Sequence, residues 1–182
     1  MKRWKSDGAG LSSRSVSAEP ETEVAVYQWF VFTHLVGLVL FVFAHGASAF
    51  ASYQIRSLRD PMAIGGYLTL SLQAVRTAYI GLLVLIIGGA GAATVNGYWP
   101  QPWVWGSVIV LVLVLLGMWI VGSRYYMNLR KMLLGSEGKP PISEQDLAAY
   151  LDSRVPDILS GIGALGLLVL IWLMVMKPGL GA

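Results

Sequence analysis

The sequence of 182 residues contains no cysteine and only two histidines. The absence of cysteine excludes disulfide bonds, thiolate metal sites, iron–sulfur clusters and thiol nucleophiles. Charged residues are also scarce, at 13% of the chain, against about 25% in typical globular proteins. The net charge of +3 is modest, and the basic residues lie near the ends of hydrophobic runs. This distribution predicts contact with lipid headgroups and no nucleic-acid partner.

Apolar residues, in contrast, make up 55% of the chain and form long unbroken runs. A protein of this size cannot bury so many apolar side chains in its own interior, and a lipid bilayer removes the conflict. A transmembrane helix needs about 20 apolar residues. Four stretches of residues 23–182 qualify, at approximately 24–53, 77–95, 103–122 and 158–176. The sequence therefore predicts an all-α, polytopic membrane protein built as a four-transmembrane-helix bundle.

The segments outside the spans contain a polar tail and two helix-start signals. Residues 1–22 are rich in Ser, Gly and Glu, cannot bury enough surface to fold, and predict a disordered tail. Asp60 and Pro61 suit the N-cap and first position of a helix that begins in the first link and runs into the second span. Ser143 opens a capping box, which predicts a short interfacial helix over residues 142–155.

The links between the spans differ in their content of basic residues, which predicts the orientation of the chain. The second link has neither Lys nor Arg. The first and third links carry eight basic residues: Arg56, Arg59, Arg76, Arg124, Arg130, Lys131, Lys139 and Arg154. Because positively charged links stay inside, we expect the first and third links in the cytoplasm and both termini outside, in a cell inner (plasma) membrane.

One stripe of the first span carries its polar residues. Six residues recur there at intervals of three or four: His34, Leu38, Phe41, His45, Ser48 and Ser52. This spacing puts them on one helix face, and polar groups in hydrocarbon normally face the bundle interior. An antiparallel second span would bring further polar groups to the same depth. The candidate binding site therefore consists of His45, Ser48, Arg56, Gln73 and Arg76.

Two interpretations of this candidate site remain open. In the first, its arginines form a cationic pocket that binds an anionic group, such as a lipid phosphate or a carboxylate. In the second, Arg56 and Arg76 only anchor the helix ends, with their charged groups extended toward the lipid headgroups.

The two histidines are candidate ligands for a metal or haem, because neutral imidazole binds both. His34 and His45 lie eleven residues apart on one helix, about 16 Å at 1.5 Å per residue, so they cannot share one ion. A bis-histidine haem within one chain is excluded for the same reason. A haem with one histidine, or a site shared across a dimer, remains open. The alternative is a histidine hydrogen-bonded to a neighbouring helix.

Acidic residues are absent from all four predicted spans, and Asp157 lies at the edge of the fourth. A carboxylate proton relay or cation site inside the membrane is therefore unsupported. The sequence also has no Ser/His/Asp, Walker or zinc-protease pattern. No catalytic residue is predicted, and nothing points to an enzyme.

Several short motifs resemble a known group of sequences. They lie at Thr33–Gly37, His45–Ser48, Arg56–Pro61, Trp99–Trp105 and Gly122–Tyr126. Over approximately residues 27–134 the chain resembles bacterial predicted integral membrane proteins of unknown function, which are distantly similar to four-helix proteins of the copper-resistance-D type. The resemblance implies a four-helix bundle in a bacterial inner membrane. It implies no established activity, and a link to copper or haem comes only through the distant relatives.

The function expected from the sequence is that of a structural or accessory component of the membrane. One alternative is a haem- or copper-binding redox protein that uses His34 or His45. Another is a small transporter or an anionic-lipid-binding module. The expected partner is the lipid bilayer, and a homodimer or a second membrane protein is a further candidate, since small residues permit close helix contact.

Overall fold

The structure is a computed structural model that describes residues 19–134 and 143–179. Every regular element in these residues is an α-helix: α1 (Glu19–Ser57), α2 (Pro61–Val95), α3 (Pro102–Leu134), α4 (Glu144–Leu151) and α5 (Val155–Met176). α1, α2, α3 and the segment that ends with α5 are long and apolar enough to cross a membrane. The predicted all-α, multi-pass membrane bundle is therefore confirmed.

The long helices extend beyond the predicted spans. α3 continues to Leu134, although its apolar run ends near residue 122. α1 begins at Glu19, so residues 19–22 are helical, whereas the sequence placed them in the disordered tail. Hydropathy marks only the stretch that needs lipid, while a helix continues through polar residues until its backbone is capped or broken. The rest of the predicted tail lies outside the described residues.

The helix starts predicted at Asp60 and Ser143 are confirmed by their caps. The Asp60 carboxylate accepts hydrogen bonds from the backbone N–H groups of Met62 and Ala63, at 3.1 and 3.2 Å. The Ser143 hydroxyl accepts one from the backbone N–H of Asp146, at 3.2 Å. Each cap satisfies N–H groups that have no partner within the first helical turn.

α4 is shorter than the predicted interfacial helix over residues 142–155. It ends at Leu151, and α5 begins at Val155 with Pro156 in its first turn. Proline fits the start of a helix but not the interior of a continuing one, so the chain breaks here and turns into the last span. Residue 142 lies outside the described part of the chain.

α1 and α2 form the first helix pair, and glycines bring their backbones into contact. These glycines are Gly37, Gly81 and Gly88. A Cβ on Gly81 would lie 2.6 Å from the backbone nitrogen of Phe41, and a Cβ on Gly37 would overlap the backbone of Leu85. Small residues permit this approach, which drives helix association in lipid through van der Waals contact.

α3 and α5 form the second helix pair. Val114 of α3 packs directly over Gly166 of α5. At the end of this pair, the Lys177 ammonium lies 5.2 Å from the ring centre of Tyr98 and 5.5 Å from that of Trp103. These cation–π contacts join the C-terminal end of α5 to the link between α2 and α3.

The most buried side chains lie at the opposite end, which we call the basic end. It carries Arg56, Arg59, Arg130, Lys131 and Arg154. Ile55 of α1, Ile64 of α2, Leu129 of α3, and Leu147 and Leu151 of α4 pack together there. Each exposes 2% of its surface or less. α4 therefore closes the basic end with a core to which both helix pairs contribute.

The glycine contacts predict different effects for two matched substitutions in α2. We expect Gly81→Ala to lower the free energy of unfolding by about 1–3 kcal/mol, because the added methyl meets backbone that cannot move aside. Gly66→Ala has no atom within 4 Å of its new methyl, and alanine is the better helix former. Thermal and denaturant unfolding of the detergent-solubilised protein would measure both. Equal stability of the two variants would contradict the close backbone contact.

Candidate functional site

A cleft of about 760 Å³ separates the two helix pairs between the middle of the bundle and the basic end. α1, α2, α3 and α5 all contribute to its walls. The inner wall, near the middle of the bundle, is apolar and includes Phe41, Leu82, Leu115, Met118 and Trp119. The wall nearer the basic end carries Ser48, Ser52, Ser71, Tyr126 and Arg130 among further apolar residues such as Leu68 and Leu133. The cleft lining is therefore mostly apolar, and its serine hydroxyls and its arginine lie toward the basic end.

α3 shows this order along a single helix face. Its lining residues are Leu115, Met118, Trp119, Gly122, Ser123, Tyr126, Met127, Arg130 and Leu133. Their spacing of mostly three or four residues keeps them on one stripe, which is about 27 Å long at 1.5 Å per residue. Along the stripe, Leu115, Met118 and Trp119 come first, and the polar residues Ser123, Tyr126 and Arg130 follow, interspersed with Met127 and Leu133.

Hydroxyl groups connect three helices in the polar part of the cleft. The Ser48 and Ser71 hydroxyls are hydrogen-bonded to each other at 2.8 Å, which joins α1 to α2. The Tyr126 hydroxyl donates to the Ser52 hydroxyl at 2.6 Å, which joins α3 to α1. Ser52 in turn donates to the backbone carbonyl of Ser48, at 2.8 Å. A polar group costs little in a low-dielectric interior when it is paired in this way.

The two histidines have different environments. The His34 Nδ1 lies 2.8 Å from the carbonyl oxygen of Leu85, so this ring forms a hydrogen bond to the neighbouring helix α2. His45 lines the cleft and stacks on Phe41, with ring centres 5.8 Å apart. No described residue forms a hydrogen bond with its ring. His34 is thus tied to α2 through Nδ1, and His45 lines the cleft with its Nε2 close to Gly163 of α5.

Arg56 forms an ion pair outside the cleft. Its guanidinium donates to the Asp157 carboxylate at 2.7 Å and to the carbonyl oxygen of Ser153 at 3.1 Å. This ion pair joins α1 to α5 at the basic end, outside the cleft lining. A partly exposed ion pair of this kind contributes little to stability but fixes the relative position of two helices.

Gln73 and Arg76 lie away from the cleft. Both side chains are exposed, and neither belongs to the lining. The residues of α2 that do line it in this region are Ser71, Leu72, Val75, Ala78, Tyr79 and Leu82. Of the five residues in the predicted site, the structure thus brings only His45 and Ser48 together. In place of Arg56, Gln73 and Arg76, the cleft lining contains Ser71, Tyr126 and Arg130. Tyr126 and Arg130 lie four residues apart on α3.

The donor atoms do not fit a copper or haem centre held by two protein ligands. The described residues contain no group of three or more His, Cys, Asp or Glu side chains close enough to hold a metal ion. The His34 Nδ1 is hydrogen-bonded to the Leu85 carbonyl, which leaves Nε2 as the only ring nitrogen that could bind a ligand. The His45 Nε2 faces Gly163 so closely that a Cβ there would lie 2.7 Å away, which leaves no space for an ion on that side.

The cleft opens sideways between α2 and α3. Tyr79, Trp119 and Met127 line it and yet expose 56%, 63% and 55% of their surfaces, so they form its lateral edges. On the opposite side α1 contacts α5, where His45 lies against Gly163. A molecule in the surrounding bilayer therefore has access to the cleft from the α2–α3 side.

Comparison of the chain with family models, with curated proteins and with solved structures gives no match. The resemblance to bacterial integral membrane proteins thus remains a prediction from the short motifs quoted above. The residues of the cleft, their hydrogen bonds and their charges are therefore the observations that bear on its function.

The open cleft predicts the reactivity of cysteines introduced into this cysteine-free chain. Ser123 lines the cleft, and we expect Ser123→Cys to react with a small anionic thiol reagent in detergent. Ser107 is 3% exposed and bonded to the Trp103 carbonyl, so Ser107→Cys should react at least about tenfold more slowly. Reaction rates followed by intact-protein mass spectrometry would show the difference. A protected Ser123→Cys would mean that the cleft is closed in solution.

Proposed function

We propose that this protein binds a membrane lipid and holds it in the cleft between the two helix pairs. The observation that carries the proposal is the distribution of polar residues along the cleft, which is apolar near the middle of the bundle and carries its serines and its arginine nearer the basic end. A lipid has the same order, with a hydrocarbon chain joined to a polar headgroup. In this arrangement the chain lies against Phe41, Leu82 and Leu115, and the headgroup lies toward Tyr126 and Arg130.

The size and the opening of the cleft support this interpretation. Its volume of about 760 Å³ falls within the range of roughly 300–1,000 Å³ that is usual for small-molecule sites. The lateral opening between α2 and α3 lets a lipid enter from the bilayer without exposing its chain to water, which would cost about 0.8 kcal/mol for each CH₂ group. The mostly apolar edge formed by Tyr79, Trp119 and Met127 suits the passage of a hydrocarbon chain.

The hydroxyl groups supply the polar surface that a headgroup needs at this depth. Ser123 and Ser160 line the cleft, and neither hydroxyl forms a hydrogen bond within the described residues. Each can donate one hydrogen bond to an ester or phosphate oxygen. His45 also lines the cleft and has no hydrogen bond to a described residue. A bound lipid would satisfy groups that the protein itself leaves unpaired.

Filling the cleft should abolish lipid retention. Val75 lines the cleft on α2, and we expect Val75→Trp to occupy the space of the hydrocarbon chain. Val112 lies on the outer face of α3 and is 47% exposed, so Val112→Trp is a matched control with the same change outside the cleft. Native mass spectrometry of the detergent-purified proteins would count the lipids that remain bound.

The expected result is one tightly held lipid on the wild type and on Val112→Trp, and at least about a tenfold lower occupancy on Val75→Trp. Circular dichroism and gel filtration would verify that both variants remain folded. Equal lipid retention by the two tryptophan variants would place the lipid on the outer surface of the helices and refute the proposal.

We also propose that the protein lies in a bacterial inner membrane with its basic end in the cytoplasm. The excess of Lys and Arg at that end supports this orientation. Ser57 lies at the basic end and Asn96 at the opposite end, and both are exposed. A membrane-impermeant thiol reagent should label Asn96→Cys in cells whose outer barrier is opened, and Ser57→Cys only after the inner membrane is disrupted. The reverse labelling pattern would invert the proposed topology.

A further inference from the structure

We propose that the lipid in the cleft carries an acidic headgroup, a phosphate or a carboxylate without a neighbouring cation, and that Arg130 binds it. This inference rests on the proposed function and specifies its ligand. It assigns a binding role to a residue that the sequence placed only among the basic residues of the third link.

The charge of the cleft is the first argument. Among the described residues that line the cleft, Arg130 is the only charged one, and none is Asp or Glu. Within the described part of the chain, the single ion pair joins Arg56 to Asp157, so Arg130 has no carboxylate partner there. A guanidinium beside a cleft that contains no acid favours an anionic ligand, with which it forms two parallel hydrogen bonds.

The position of Arg130 along α3 also places it near the level of the lipid headgroups. Trp103 and Trp105 mark one membrane boundary, since tryptophan prefers the level of the headgroups. About 20 residues of α3 cross the hydrocarbon, which places the other boundary near Ser123. Arg130 lies seven residues further, about 10 Å beyond this boundary at 1.5 Å per residue. A long arginine side chain at this height reaches the headgroup layer of the adjacent leaflet.

The absence of acidic residues from the lining is the third argument, because it separates two kinds of phospholipid. A zwitterionic headgroup such as phosphocholine has a phosphate and a cation, and no described residue of the cleft lining is a carboxylate that could pair with that cation. The cation would also lie near Arg130 and be repelled by it. A headgroup whose only charge is negative avoids both costs. The preference should therefore depend on net charge and weaken as salt is added.

The experiment compares three lipids on the full-length, delipidated protein in a neutral detergent. The probes are a phosphatidylglycerol and a phosphatidylcholine with identical chains, and oleate as a free carboxylate. Arg130→Gln removes the cation from the cleft. Lys131→Gln removes the same charge from the neighbouring residue, which is exposed as Arg130 is but does not line the cleft. Native mass spectrometry at increasing lipid concentration gives the dissociation constant for each pair.

We expect the wild type and Lys131→Gln to bind an acidic lipid about tenfold more tightly than phosphatidylcholine, the size of one charge-assisted hydrogen bond. Arg130→Gln should lose this preference, and Arg130→Lys should keep most of it because the charge remains. Tighter binding of phosphatidylglycerol than of oleate would identify a phosphate headgroup, and the opposite order would identify a carboxylate.

Two results would overturn the inference. One is equal affinity of the wild type for phosphatidylglycerol, oleate and phosphatidylcholine. The other is an equal loss of preference in Arg130→Gln and Lys131→Gln, which would reflect only the general charge of the basic end. In both cases Val75→Trp would still abolish binding if the cleft holds a lipid, so the proposed function would stand. Binding that Val75→Trp leaves unchanged would remove both proposals together.

Discussion

The arrangement of the bundle depends on the apolar core that α4 builds at the basic end. Lipid chains are as apolar as leucine, so the hydrophobic effect does not press helices together inside a bilayer. It acts only where the helices extend into water. At the basic end, the hydrophobic effect favours the packing of Leu147 and Leu151 of α4 against one residue from each of the three longest helices, namely Ile55, Ile64 and Leu129. The two helix pairs are thus joined through α4 at the basic end, and the cleft lies between them toward the middle of the bundle.

Different contacts act within the pairs and between them. Within the first pair, glycines bring two backbones together, and hydrogen bonds of Ser48 with Ser71 and of His34 with the Leu85 carbonyl add to this contact. Between the pairs, the described contacts in the region of the cleft are largely polar: the hydrogen bond from Tyr126 to Ser52 and the ion pair of Arg56 with Asp157. These contacts are directional and few, so they fix the distance between the pairs without filling the space. A ligand in the cleft therefore meets two stiff walls and a polar rim.

The sequence predicted the fold because hydropathy and helix caps are local signals. The positions of the spans follow from the local content of apolar residues. Asp60 and Ser143 lie directly before α2 and α4 and cap these helices. The site was predicted only in part. The polar stripe of α1 faces inward, so His45 and Ser48 line the cleft, but the rotation of α2 is set by Gly81 and Gly88 against α1 and turns Gln73 and Arg76 outward. The positions of polar residues in the sequence do not predict this rotation of α2. The pairing of Arg56 with Asp157, 101 residues apart, likewise requires the assembled bundle.

The lateral opening gives this molecule a front and a back within the plane of the membrane. The front is the gap between α2 and α3, bordered by Tyr79 and Trp119, and the back is the side on which His45 lies against Gly163. A rotation about the membrane normal therefore changes which surface of the protein its neighbours contact. A protein that docks at the front would share an enclosed hydrocarbon path with the cleft. One that docks at the back would meet only a continuous helix surface.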